Sequence, residues 1–113
     1  MNWKNFLRET RGQIRELNKV IPETAKGFQI LSAGVKDNGV LDEKSKEFVA
    51  LGIAVAVHCD DCIGFHIQAL VRLKATREEI ADVLAMTIQM GGGPAIMYAA
   101  RALDAYDEFT KKD

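Results

Sequence analysis

Cys59 and Cys62 enclose two acids in the run Cys59-Asp60-Asp61-Cys62, and His66 follows one helical turn after the second cysteine. On a helix these intervals put side chains on neighbouring positions of one face, so 59, 62 and 66 form a single stripe. A thiolate is the reactive form of cysteine, and an adjacent imidazole can take the proton that must leave. Spacing alone therefore pairs Cys62, as nucleophile, with His66, as base. If Cys59 opens the helix, the two sulfurs can also close into a disulfide, and the free N–H groups and dipole of that helix end favour a thiolate at Cys59. Asp60 and Asp61 work against both, because negative charge beside a thiol raises its pKa.

Glu47 joins these residues only if the chain folds back. On one continuous helix it would lie about 18 Å from Cys59, too far to act. A turn near Val57 and His58 would instead make an antiparallel pair of helices in which Glu47 comes level with His66. A carboxylate there orients the ring and strengthens it as a base. Plainer readings stand beside these. Glu47 could be a solvated first-turn acid serving the helix dipole. The cysteines could be two small buried hydrophobes, or half of a zinc site with His58 or His66, since a tetrahedral site wants four ligands. His58 reads as a helix-end residue, and Met86, Met90 and Met97 read as core or interface filler.

The elements that would carry this group are helical. From Trp3 to about Asn18 the apolar residues Trp3, Phe6, Leu7, Ile14 and Leu17 recur at helical intervals, with a gap at Thr10 and Arg11. Pro22 suits the first position of a second helix carrying Phe28 and Leu31 toward Val35, and Asn38-Gly39 marks a turn. Asp42 caps a third helix from Glu43 to about Val57, apolar on nearly every side and so expected to be covered on most faces. The fourth carries the cysteines and runs through Leu73. Thr76 and Glu79 form a capping box for the fifth, Gly91-Gly92-Gly93 ends it, and Pro94 opens a last, alanine-rich helix through Phe109. With no sustained alternation of period two, the fold class is all-α.

Composition narrows the function classes. The chain has 113 residues, enough for one domain over 1–113. Its 15 basic and 16 acidic residues nearly cancel, with no basic block, which argues against nucleic acid as a partner. No segment has the length of a bilayer crossing or the layout of a signal peptide, so no membrane is expected. A cytoplasmic location follows, and there a lone cysteine pair points to catalysis or metal binding rather than stabilisation.

Glu47, then Cys59-Asp60-Asp61-Cys62-Ile63-Gly64-Phe65-His66, then Thr76-Arg77-Glu78-Glu79-Ile80 together resemble the carboxymuconolactone decarboxylase superfamily, and within it the alkylhydroperoxidase D-like branch. The resemblance runs from roughly Pro22 to Leu103 and is closest from Leu41 to Ala81. It implies an all-helical subunit assembled as a homotrimer or homohexamer. It also implies Cys62 as the peroxide-reactive cysteine, His66 as its base, Glu47 as the acid linked to that histidine, and Cys59 as the more exposed, resolving partner. The helix dipole alone would make Cys59 the attacking thiol; the resemblance assigns that part to Cys62.

The implied activity is that of a thiol-dependent hydroperoxide reductase or protein disulfide oxidoreductase. It would have no bound cofactor and would draw on an external dithiol reductant, a thioredoxin-like or lipoylated protein. The alternatives are a lactone decarboxylase using His66 and Glu47, and a non-enzymatic helical assembly module whose dithiol is inert or holds a metal. One departure stands out: alkylhydroperoxidase D proteins carry a histidine immediately before the second cysteine, where this chain has Asp61. A carboxylate is no substitute for an imidazole proton relay, which leaves peroxidase efficiency and the choice of reductant open.

Overall fold

Local signals account for where the helices begin. Asn2 accepts from the N–H of Asn5 to start α1 (Trp3–Val20), and Pro22 opens α2 (Pro22–Lys36). Asp42 accepts from the N–H of Ser45 at the head of α3 (Glu43–Ala56), and this backbone hydrogen bond holds its carboxyl below the ordinary carboxylate range. After α4 (Asp60–Arg72), Thr76 and Glu79 complete the expected capping box of α5 (Arg77–Gly91). A single residue, Gly92, links α5 to α6 (Gly93–Thr110); its φ of 74° is one that glycine adopts without a Cβ clash. This computed structural model describes residues 1–111, and among them there is no strand. The fold is the all-α class expected from periodicity. No helix among the described residues is long and apolar enough to cross a membrane.

The core is built where α3, α4, α5 and α6 meet, with the head of α1 laid against it. Leu51, Val55, Ile63, Ile67, Leu70 and Ile80 are completely buried, and Ala95, Ala99, Ala102 and Ala105 form the inner face of α6. These alanines let α6 come close to α4 and α5, so the close packing anticipated for the last helix occurs within the chain. Trp3 ties the two ends of the chain together. Its indole is buried and donates to Asp104 at 2.9 Å, while Glu108 accepts from the backbone N–H groups of Trp3 and Lys4, which have no partner within α1.

The interface of α1 with α4 is tight at Gly64. A Cβ there would stand 2.7 Å from a methyl of Leu7, which is itself fully buried and would have to shift within the core to make room. Gly64→Ala is therefore expected to lower stability by about 1–3 kcal/mol through overpacking. Urea unfolding checks this: a midpoint equal to wild type would show that the helices separate at little cost.

Burial departs from the pattern expected for α1 and α3, and α2 lies open along its whole length. Thr10, read as a gap in the apolar stripe of α1, is buried, with its hydroxyl donating to the Phe6 carbonyl at 3.1 Å; Ile14 and Leu17, read as part of that stripe, are exposed. No residue of α2 is buried at all, and Phe28, Leu31 and Val35 each stay more than half exposed. The third helix is covered on only one side: Leu51, Ala54 and Val55 face the core, whereas Val49 and Ile53 remain open. Helical periodicity reports which residues are apolar, not how many neighbours one chain can supply.

Candidate active site

The turn that carries the cysteine pair follows from how α3 ends. His58 takes φ of 60°, its N–H donates to the Val55 carbonyl at 3.2 Å, and the N–H of Cys59 donates to the Ala54 carbonyl at 3.0 Å. These two bonds are the Schellman arrangement, which closes one helix and redirects the chain. Cys59 is thereby both the last residue of that closure and the N-cap of α4, one position before the helix proper. The Cys59 sulfur accepts from the N–H of Cys62 at 3.2 Å, in the way a serine or aspartate side chain does at a helix start.

Cys59 and Cys62 are joined as a disulfide with their Cα atoms 5.2 Å apart. Both are partly buried, and Cys62 packs against the core cluster. The first turn of α4 thus holds the dithiol on a rigid element, with one sulfur on the helix end and the other on its flank.

The fold-back anticipated from the sequence is present, and α3 lies along α4. It brings Glu47 to His66, whose Nδ1 lies 2.6 Å from Oε2 of the carboxylate. An ionised carboxylate can only accept, so Nδ1 carries the hydrogen and Nε2 is the ring nitrogen left to exchange a proton. Both side chains are partly sheltered, with 34% and 23% of their surface exposed, enough to strengthen the contact without sealing it from solvent. Among the described residues no hydrogen bond joins the ring to either sulfur, neither of which carries a proton in the disulfide. The reading of Glu47 as a freely solvated acid does not describe this geometry.

Glu47 and His66 also form part of the wall of a cavity of about 350 Å³ between α2 and α3, otherwise contributed largely by Phe28, Leu31, Val35 and Ala50. Neither cysteine lines it. A second, more apolar groove of about 490 Å³ lies between α3 and α5, bordered by Val49, Ile53, Met86 and Met90. Among the described residues no three histidine, cysteine or acidic side chains converge as a metal site within the chain.

The structure also gathers residues around the dithiol that sequence reasoning passed over. His58 stacks on Tyr98, with ring centroids 4.4 Å apart and planes within 6°. Arg101 lies over the same ring at 4.4 Å and bonds both carboxylate oxygens of Asp60 at 3.2 Å. Tyr98 and Arg101 are a turn apart on α6, far along the chain from the cysteines, and no local pattern in the sequence marks them.

The sequence profile of the carboxymuconolactone decarboxylase family matches residues 22–105. An uncharacterised protein of Cupriavidus necator is 40% identical over 104 residues, 92% of each chain. A carboxymuconolactone decarboxylase family protein of Legionella pneumophila has a crystal structure with a TM-score of 0.92 at 45% identity, covering 96% of this chain and 97% of its own. Another from Thermotoga maritima, with a suggested part in an antioxidative response, gives 0.76 at 33% identity over 90% and 87% of the two chains. The chain belongs to the carboxymuconolactone decarboxylase family.

Proposed function

We propose that this member of the carboxymuconolactone decarboxylase family is a dithiol oxidoreductase that reduces hydroperoxides. The observation that carries the reading is a Cys59–Cys62 pair closed at the head of α4, with a Glu47-bound imidazole one turn beyond. In the reduced protein His66 takes the proton of Cys62, and Glu47 stabilises the imidazolium that results. The Cys62 thiolate attacks the terminal peroxide oxygen, forming an S–O bond as the O–O bond breaks; the departing alkoxide takes a proton from His66 and leaves as the alcohol. Cys59 then attacks the sulfenic sulfur, forming the S–S bond and releasing water. Two thiols are oxidised and one peroxide is reduced. An external dithiol, on a thioredoxin-like or lipoylated protein, restores the pair by exchange, and no bound cofactor takes part.

Addition of a small excess of cumene hydroperoxide to the reduced protein tests this. Two thiols per chain should disappear and return on treatment with a dithiol. Unchanged thiols would overturn the reading. A lactone decarboxylation retained in the Cys59→Ser, Cys62→Ser double variant would place the chemistry on His66 and Glu47 instead.

The assembly belongs to the same proposal. One chain leaves the outer face of α2 and the groove between α3 and α5 uncovered, two separate apolar surfaces that a ring of subunits can bury against each other. A homotrimer or homohexamer is expected in solution. Ile30→Lys places a charge at an exposed apolar residue of α2 that does not line the cavity beside Glu47 and His66, and should shift the mass measured by light scattering toward the monomer. A monomeric wild type would contradict the assembly.

A further inference from the structure

The two acids inside the cysteine motif are unequal partners in this fold. Asp60 is held through both oxygens by Arg101, whereas Asp61 forms no ion pair among the described residues. The hold comes from α6 and has a second arm. Tyr98, one turn before Arg101, stacks on His58, so α6 grips the residue on each side of Cys59. Arg101 lies over the Tyr98 ring, which links the two arms. The hydrogen bond to Asp60, followed by its charge, raises the Arg101 guanidinium above its ordinary value.

We propose that Arg101 is a positioning residue for the dithiol, which offsets the charge of Asp60 and thereby keeps the cysteine thiols acidic enough to react. The physical reason is the sign of the local field. An unpaired carboxylate beside a thiol favours the protonated form, and a bound guanidinium cancels most of that effect. Arg101 is partly exposed, so the ion pair itself contributes little to folding. Its consequence falls on the neighbouring thiolate. The inference deepens the dithiol reading by naming what makes a motif with two internal acids workable.

Other charged groups meet α4 from the elements packed against it: Glu47 of α3 through His66, and Arg11 of α1 at Phe65 and Gln68. They remain unchanged, along with Asp61 and His58, in the variants that test the proposal, which are Arg101→Gln, Arg101→Lys, Asp60→Asn and the double variant Arg101→Gln, Asp60→Asn. The pH dependence of iodoacetamide alkylation of each reduced protein gives the thiol pKa without any peroxide. Arg101→Gln should raise it by about half a pH unit, a roughly threefold slower reaction on the acidic side. Arg101→Lys should stay near wild type, Asp60→Asn should move the other way, and the double variant should return toward wild type.

An unchanged pKa in Arg101→Gln would overturn the proposal. So would a double variant that behaves like Arg101→Gln alone, since the effect would then not pass through Asp60. Because alkylation needs no hydroperoxide, the two ideas fail separately. Shifted pKa values in a protein inert to peroxide would retire the peroxidase reading alone, and unshifted values in a peroxide-reactive protein would retire the role of Arg101 alone.

Discussion

Cys62→Ser is expected to abolish the reaction with hydroperoxide, while Cys59→Ser is expected to leave its first step intact and stop there. The reason is the order of bond changes. Only the sulfur that attacks the peroxide acquires an oxygen, and without a second thiol that oxygen has nowhere to go. Reduced Cys59→Ser should therefore lose its one thiol and gain a sulfenic acid that dimedone traps, visible by mass spectrometry. Cys62→Ser should keep its thiol through the same exposure. The structure makes this a demanding test, because Cys59 sits at the helix N-cap with the Cys62 N–H directed at its sulfur, an environment that favours a thiolate at Cys59. Assigning the attack to Cys62 therefore requires His66 and Glu47 to outweigh the helix end. Trapping of a sulfenic acid in Cys62→Ser instead would exchange the two roles and bring the site closer to a disulfide-exchange enzyme, in which the thiol at the helix end attacks.

His66→Ala is expected to slow peroxide-driven disulfide formation by about 10²–10⁴-fold, the usual range for loss of a positioned general base. Glu47→Gln should slow it less. The amide retains a hydrogen-bond acceptor for Nδ1 at 2.6 Å but removes the negative charge that stabilises the imidazolium. Since Glu47 acts through His66, removing both should cost no more than removing His66 alone. The comparison is made on initial rates of thiol loss for wild type, the two single variants and the double variant. Additive losses would mean that Glu47 serves another purpose, such as lining the neighbouring cavity between α2 and α3. Wild-type rates in His66→Ala would remove the imidazole from the mechanism.

Much of the geometry of the candidate site is legible in the sequence, and the reason is range. Helix caps depend on residues three positions apart, so Asp42, Thr76 with Glu79, and Pro22 announce their helices directly. The cysteine interval likewise fixes which side chains share a turn of helix. Glu47 required one further step: once α3 and α4 are taken to fold back at Val57 and His58, residues equally far from the bend must come level, and Glu47 meets His66. Each of these inferences rests on a short hydrogen-bonded segment or on the geometry of one turn.

The tertiary structure decided what depends on distant residues. Arg101 reaches Asp60 from 41 positions away, and Glu108 meets the N–H of Trp3 across 105. No periodicity or capping pattern encodes such pairings, because they arise from how the helices stack rather than from how any one forms. The same holds for burial: Val49 and Ile53 are as apolar as the core residues beside them, yet they stay open, because an apolar residue is covered only where another element is available to cover it. Local patterns are enough to give six helices and a cysteine pair with a histidine on the same face. Only the folded chain made Cys59 the N-cap of α4, one position before the helix proper, and brought a cation from the last helix to one of the two acids between the thiols.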